Sequence, residues 1–189
     1  MNTYQIVSTV GALILYIPLA LQILQGKARQ NAATFILWGS LDAIAAVSIY
    51  IQGGNWHLPA AYTAGCALIV VCLVIKGYIE WTPFETKTTF LVVICLVGWY
   101  LSGPYLATIL STAGVVIAGF PQIKDTWKRP EHTPTWLYPS YTVVNIISTV
   151  GGSAWTVEER LYPLCCAIMC GIVAILSFRK FHFFKPHSA

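Results

Sequence analysis

Seven apolar stretches, joined by connections too short to hold a folded unit, run almost the whole length of this chain: Tyr4–Leu24, Thr34–Ile51, Leu58–Ile75, Thr88–Leu101, Tyr105–Ile123, Thr135–Gly152 and Leu161–Phe178. A helix that crosses a bilayer needs about 20 mostly apolar residues, and lipid offers the backbone no hydrogen-bond partner, so each stretch must satisfy its own amides as a helix. The balance of 57% hydrophobic and 10% charged residues lies far from the roughly one-quarter charged composition of soluble domains. The expected fold is therefore an all-α integral membrane protein of seven transmembrane helices, with no room left for a soluble domain. The fourth stretch is short, and only Ser102-Gly103-Pro104 separates it from the fifth, a helix-breaking tripeptide that favours a hairpin over one long helix.

Basic residues accumulate on the cytoplasmic side of short membrane loops. In the seven-span arrangement Lys27, Arg29, Lys76, Lys87, Lys124, Lys128, Arg129, Arg179, Lys180 and Lys185 share one side, leaving Arg160 alone on the other. This predicts an outside N-terminus and a cytoplasmic C-terminus, and it accounts for the net charge of +4 without a nucleic-acid partner. The first stretch lacks the basic n-region of a secretory signal and reads as a mature span. All six cysteines fall inside predicted spans without zinc-site spacing, so they read as small buried hydrophobes. No Asn-x-Ser/Thr sequon occurs and no sorting signal stands in the short tail, which favours a bacterial inner membrane over an organelle membrane.

An internal repeat organises the spans. Ser8-Thr9-Val10-Gly11 falls on Ser111-Thr112-Ala113-Gly114, and the same ungapped shift places Pro18 on Pro121 and Asp42 on Asn145. The unit is three spans. A direct repeat of an odd-numbered unit would give inverted copies, and one extra helix between them restores a common orientation. The division expected is a first three-helix bundle over residues 1–80, a linker helix over 81–103, and a parallel second bundle with a cytoplasmic tail over 104–189.

Gly114-Val-Val-Ile-Ala-Gly-Phe-Pro121-Gln122-Ile, then a basic loop, then Thr135-Trp136 opening the next helix resembles the second signature of the PQ-loop repeat family. That family includes cystinosin-like exporters, SWEET sugar transporters and, by fold, the KDEL receptor. In the first copy the dipeptide is Pro18-Leu19, with Gln22 one turn further on. The resemblance implies a transporter or receptor built from two parallel bundles around one central axis.

Asp42 is the only acidic residue inside a predicted span, and no Lys or Arg within a span can pair with it. An aspartate at helix centre costs about 2.5–3.5 kcal/mol on translocon scales, so it should face a wet cavity, bind a cation or carry a proton; a neutral Asp bonded to a neighbouring helix is the plainer alternative. Its repeat mate Asn145 lies on a polar stripe with Tyr138, Tyr141, Ser148, Thr149 and Gly152, a pattern that equally serves as interhelical glue. Trp38, one turn before Asp42, offers an aromatic wall or ordinary packing. Pro18 and Pro121 each remove a backbone donor, freeing the carbonyls of Ile14 and Ile117. With Gly11, Gly114 and Gly119 nearby they read as inner-gate hinges or static kinks. Gln122 is expected to bond a freed backbone group or to line that gate.

The function these residues favour is transport of a small metabolite by alternating access, with the solute bound between Asp42 and Asn145 and protons as a candidate coupling ion. A plain sugar ranks lower, because neither the third nor the seventh span carries the asparagine that the resemblance associates with sugar pockets. A receptor or scaffold that binds a peptide on the same fold is the alternative. The chain presents no paired-carboxylate, nucleophile, metal or cofactor motif, so no enzyme is expected and no cofactor is called for; a retinal chromophore would need a lysine buried in the last span. The oligomeric state is not written in these residues.

Overall fold

The computed structural model describes residues 1–27, 32–79, 81, 83–130, 133 and 135–179, with the side chains of residues 84, 85 and 125 excepted. Arg29, Lys180 and Lys185, which entered the charge reading, lie outside the described residues. Within them the chain is 84% helical with no strand. The elements are α1 (Thr3–Leu24), α2 (Ala32–Ile51), α3 (His57–Ile75), α4 (Pro83–Lys128), α5 (Leu137–Val150) and α6 (Tyr162–Ser177), the last entered through a wide π-helical turn, Val157–Leu161.

Five helices among the described residues are long and apolar enough to cross a membrane: Thr3–Leu24, Ala32–Ile51, His57–Ile75, Thr86–Lys128 and Val157–Ser177. The first three helices begin one or two residues before the expected Tyr4, Thr34 and Leu58, the run Pro83–Lys128 extends beyond the expected Thr88 and Ile123, and α5 is trimmed to 14 residues from the expected Thr135–Gly152. Between Pro83 and Lys128 helical geometry is interrupted only at Gly103, whose φ of 77° and ψ of −171° no residue with a Cβ adopts comfortably. The chain reverses there: a methyl added to Gly98 would meet the side chains of Leu110 and Leu106, residues that a straight helix would carry some 12–18 Å away at about 1.5 Å per residue. Gly103 alone makes the turn expected of Ser102-Gly103-Pro104, with helix on both sides.

Besides an apolar core, the molecule leaves long apolar faces exposed and buries many polar side chains. Ile6, Val7, Val10, Ile14, Ile17 and Leu21 point outward along α1, as do Phe90, Val93, Ile94, Val97 and Leu101 along the first limb of α4, while Ser8, Asp42, Ser48, Asn55, Thr108, Ser111, Asn145 and Ser148 are buried. Apolar area left exposed on this scale suits a lipid solvent.

The helices pack in six principal pairs: α1 with α3, α2 with α3, α4 with α6, α5 with α6, α2 with α4, and α1 with α5. Exchanging α1 for α4, α2 for α5 and α3 for α6 maps this set onto itself. The same exchange holds in side-chain detail. A methyl on Gly11 would lie 3.2 Å from Val144 Cγ2, and one on Gly114 would lie 3.0 Å from Leu41 Cδ2; the shift that relates the two glycines also relates Leu41 to Val144. Small residues at these positions let α1 approach α5, and α4 approach α2, across the middle of the molecule.

Candidate functional site

Where the two halves meet, they enclose a cavity of about 590 Å³, a size that suits a small organic ligand. Its blind end is formed by Asp42 of α2, Tyr62 of α3, Asn145 of α5 and Tyr162 of α6; Tyr16, Trp38, Cys66, Tyr141 and Cys166 form the surrounding walls. From there the lining continues past Leu19, Gln22 and Phe35 on one side and Gly119, Gln122 and Leu137 on the other, to a mouth beside Lys27 and Thr133. The mouth therefore lies at the end of the molecule that carries Lys27, Lys124 and Lys128.

Two hydrogen bonds cross between the halves at the blind end, and they are mates under the helix exchange. The Tyr162 hydroxyl donates to Asp42 Oδ1 at 2.6 Å, joining α6 to α2. Asn145 Nδ2 donates to the Tyr62 hydroxyl at 2.6 Å, joining α5 to α3, and also to the Tyr141 carbonyl at 2.8 Å. The rings of Tyr62 and Tyr162 stand 6.3 Å apart. Tyr62 and Tyr162 occupy matching places in the spans His57–Ile75 and Val157–Ser177, and the π-helical turn sets the register of the second.

Around this level Tyr16, Tyr62 and Tyr141 meet edge to face with centroids 5.8–6.3 Å apart. Two buried polar atoms in the walls have no hydrogen-bond partner: Asn145 Oδ1, an acceptor, and Trp38 Nε1, a donor. Among the described residues neither Lys nor Arg reaches Asp42, whose single hydrogen bond from a described side chain is that of Tyr162. Among the described residues no three His, Cys, Asp or Glu side chains cluster as metal ligands.

The far end is sealed. Asn55, in the turn between α2 and α3, donates from Nδ2 to the carbonyl and hydroxyl oxygens of Ser148, both at 3.2 Å, and its amide donates to Glu158 O at 3.1 Å. Asn2 caps α1 by accepting from the Gln5 amide at 2.9 Å and reaches α5 by donating to Gly151 O at 2.7 Å. Gln52 donates to Thr108 Oγ1 at 2.8 Å, and Thr108 donates to Ser48 Oγ at 2.9 Å. Arg160 donates to the carbonyls of Thr149, Gly152 and Ala154 at 2.6–2.8 Å.

Of the residues singled out from the sequence, Asp42, Asn145, Trp38, Tyr141 and Gln122 line the cavity. Ser148 and Thr149 do not; both belong to the seal, through Asn55 and Arg160. Gln122 donates to Thr126 Oγ1 at 3.0 Å instead of to a freed backbone carbonyl. Pro18 and Pro121 lie within continuous helix near the mouth, and Gly114 packs on Leu41. Sequence reasoning missed Tyr16, Tyr62 and Tyr162; the available signal was a phenol deep in an apolar span, whose hydroxyl needs a partner. The chain has no significant match to any protein-family model, curated protein or solved structure.

Proposed function

We propose that this chain is a small-metabolite transporter of seven transmembrane helices, with the two limbs of α4 counted as two spans, in the PQ-loop arrangement of two parallel three-helix bundles joined by a linker helix. The observation that carries the reading is a central cavity lined from the buried Asp42–Asn145 level to the Lys27 end, with hydrogen bonds between the two halves at the other end. A solute site between two halves related by an internal repeat is how alternating access is built: the seal and the mouth change places while the site stays fixed. The invariance of the packing under exchange of the halves supports the same reading, because a rocking motion then has an equivalent end state. By the positive-inside rule the mouth faces the cytoplasm, in the inner membrane of a bacterium. Asp42 is the proposed carrier of a coupling proton, and Pro18 and Pro121 the proposed hinges.

The test is uptake by proteoliposomes from an isotopically labelled metabolite mixture, read by mass spectrometry. At least one solute should enter faster than into protein-free vesicles, with Asp42→Asn abolishing its accumulation under an imposed pH gradient. Identical contents in vesicles with and without protein would replace transport by a receptor role on the same fold.

A further inference from the structure

We infer that the ligand held at the blind end is a small organic cation, a protonated amine that also carries a hydrogen-bond acceptor, seated on Asp42 inside the tyrosine and tryptophan walls. The inference deepens the transport reading and rests on the cavity being its solute site. Three observations converge on it. The only formal charge among the residues lining the blind end is the Asp42 carboxylate, 4% exposed, with no basic side chain beside it. One of its oxygens accepts from Tyr162, and no described side chain donates to the other, Oδ2. A carboxylate removed from water in this way calls for a positive partner or a proton.

The walls say which kind of cation. Five aromatic side chains, Tyr16, Trp38, Tyr62, Tyr141 and Tyr162, line the cavity together with Asp42. Aromatic walls around one carboxylate hold alkylammonium groups by attraction to ring faces. The two orphaned atoms complete the description. Asn145 Oδ1 and Trp38 Nε1 belong to lining residues and are buried without a hydrogen-bond partner, so a ligand that engages them needs a donor for the first and an acceptor for the second. A protonated amine with a hydroxyl or carbonyl satisfies both. The titratable groups facing Asp42 are Tyr16 from α1, Cys66 and Tyr62 from α3, Tyr141 from α5, and Tyr162 and Cys166 from α6, while α4 presents Val115, Gly119 and Gln122 to the cavity. None brings a positive charge, so ammonium and proton occupy Asp42 in turn and exclude one another.

A charge series on one skeleton tests this: tyramine, the neutral alcohol 4-(2-hydroxyethyl)phenol, and the anion 3-(4-hydroxyphenyl)propionate, titrated into the detergent-solubilised full chain by calorimetry. Tyramine should bind at least tenfold more tightly than the alcohol, and the anion least. In Asp42→Asn the tenfold preference should fall to within about twofold. Equal affinities for tyramine and the alcohol, no binding of any probe, or a preference that survives Asp42→Asn would each overturn the inference. If Asp42→Asn does not fold, the wild-type series decides by the same criterion. Uptake confined to neutral or anionic metabolites would sink the cation while leaving transport standing; selective tyramine binding without flux of any solute would do the reverse.

Discussion

Asp42 and Asn145 occupy equivalent positions but are not held equally. Asn145 keeps a second acceptor, the Tyr141 carbonyl, if the Tyr62 hydroxyl is lost, whereas Asp42 has only Tyr162. Interhelical hydrogen bonds in membranes contribute about 0.6 kcal/mol on average and about 1.7 at most. Tyr162→Phe should therefore lower the thermal unfolding midpoint in detergent clearly, and Tyr62→Phe only slightly. The opposite order would mean that the Tyr162 bond is not what ties α6 to α2. The carboxylate and the amide were legible in the sequence, because a polar group alone in an apolar span is conspicuous. Their partners were not. Tyrosine is ordinary in such spans, and the shift that aligns Asp42 with Asn145 leaves Tyr62 and Tyr162 out of step because α5 ends sooner after Asn145 than α2 does after Asp42, so the tyrosine pair is visible only once the helices are packed.

At the scale of elements, close approach depends on a few positions without side chains. Gly65 of α3 lies against the Tyr16 ring so tightly that an added methyl would overlap it; Tyr16 is buried and cannot swing away. Gly119 of α4 is as tightly covered, but by the Sδ atom of Met169 at the flexible part of its side chain. Gly65→Ala should cost about 1–3 kcal/mol, as overpacking typically does, and should disturb the cavity wall, while Gly119→Ala should be close to neutral. Guanidinium- or SDS-titrated unfolding of the two variants checks the contrast, and equal costs would mean that α1 and α3 are less tightly joined than this contact implies. Which glycines matter was not readable from the sequence, since both sit in similar apolar surroundings and differ only in the neighbour that folding brings. The first three helices were readable to within two residues, because the lipid requirement is local. Against the seven expected spans, five helices among the described residues are long and apolar enough to cross a membrane, and α5 is not one of them. The long run from Pro83 to Lys128 was harder, since one glycine with positive φ reverses the chain without a polar loop to announce it.

Taken whole, the molecule has its mouth at the basic end and its seal at the Arg160 end, and the seal carries an imperfection. Asn55 ties the two halves through Ser148 and Glu158, yet its Oδ1 is buried without a partner, as is Nδ1 of His57 nearby. Each such atom forfeits about 1–3 kcal/mol of hydration, so the sealed arrangement is held by less than its hydrogen bonds alone would suggest. On the proposed transport reading this end must open, and a seal of moderate strength keeps the opened arrangement within reach of thermal populations. Removing the Asn55 side chain deletes both bonds to Ser148 along with the orphaned oxygen. If the net loss is about 1 kcal/mol, the population open at the Arg160 end rises roughly fivefold. The measurement is labelling of Tyr141→Cys, placed on the cavity wall of an otherwise cysteine-free protein, by a membrane-impermeant thiol reagent in oriented vesicles. Reagent on the basic side should label it readily in either background. Reagent on the Arg160 side should label it slowly with Asn55 present and several times faster in Asn55→Ala. Labelling from the Arg160 side that does not change when Asn55 is replaced would mean that these bonds hold the fold together without gating it, and the moving boundary would then have to be sought among the bonds of Asn2, Gln52 and Arg160.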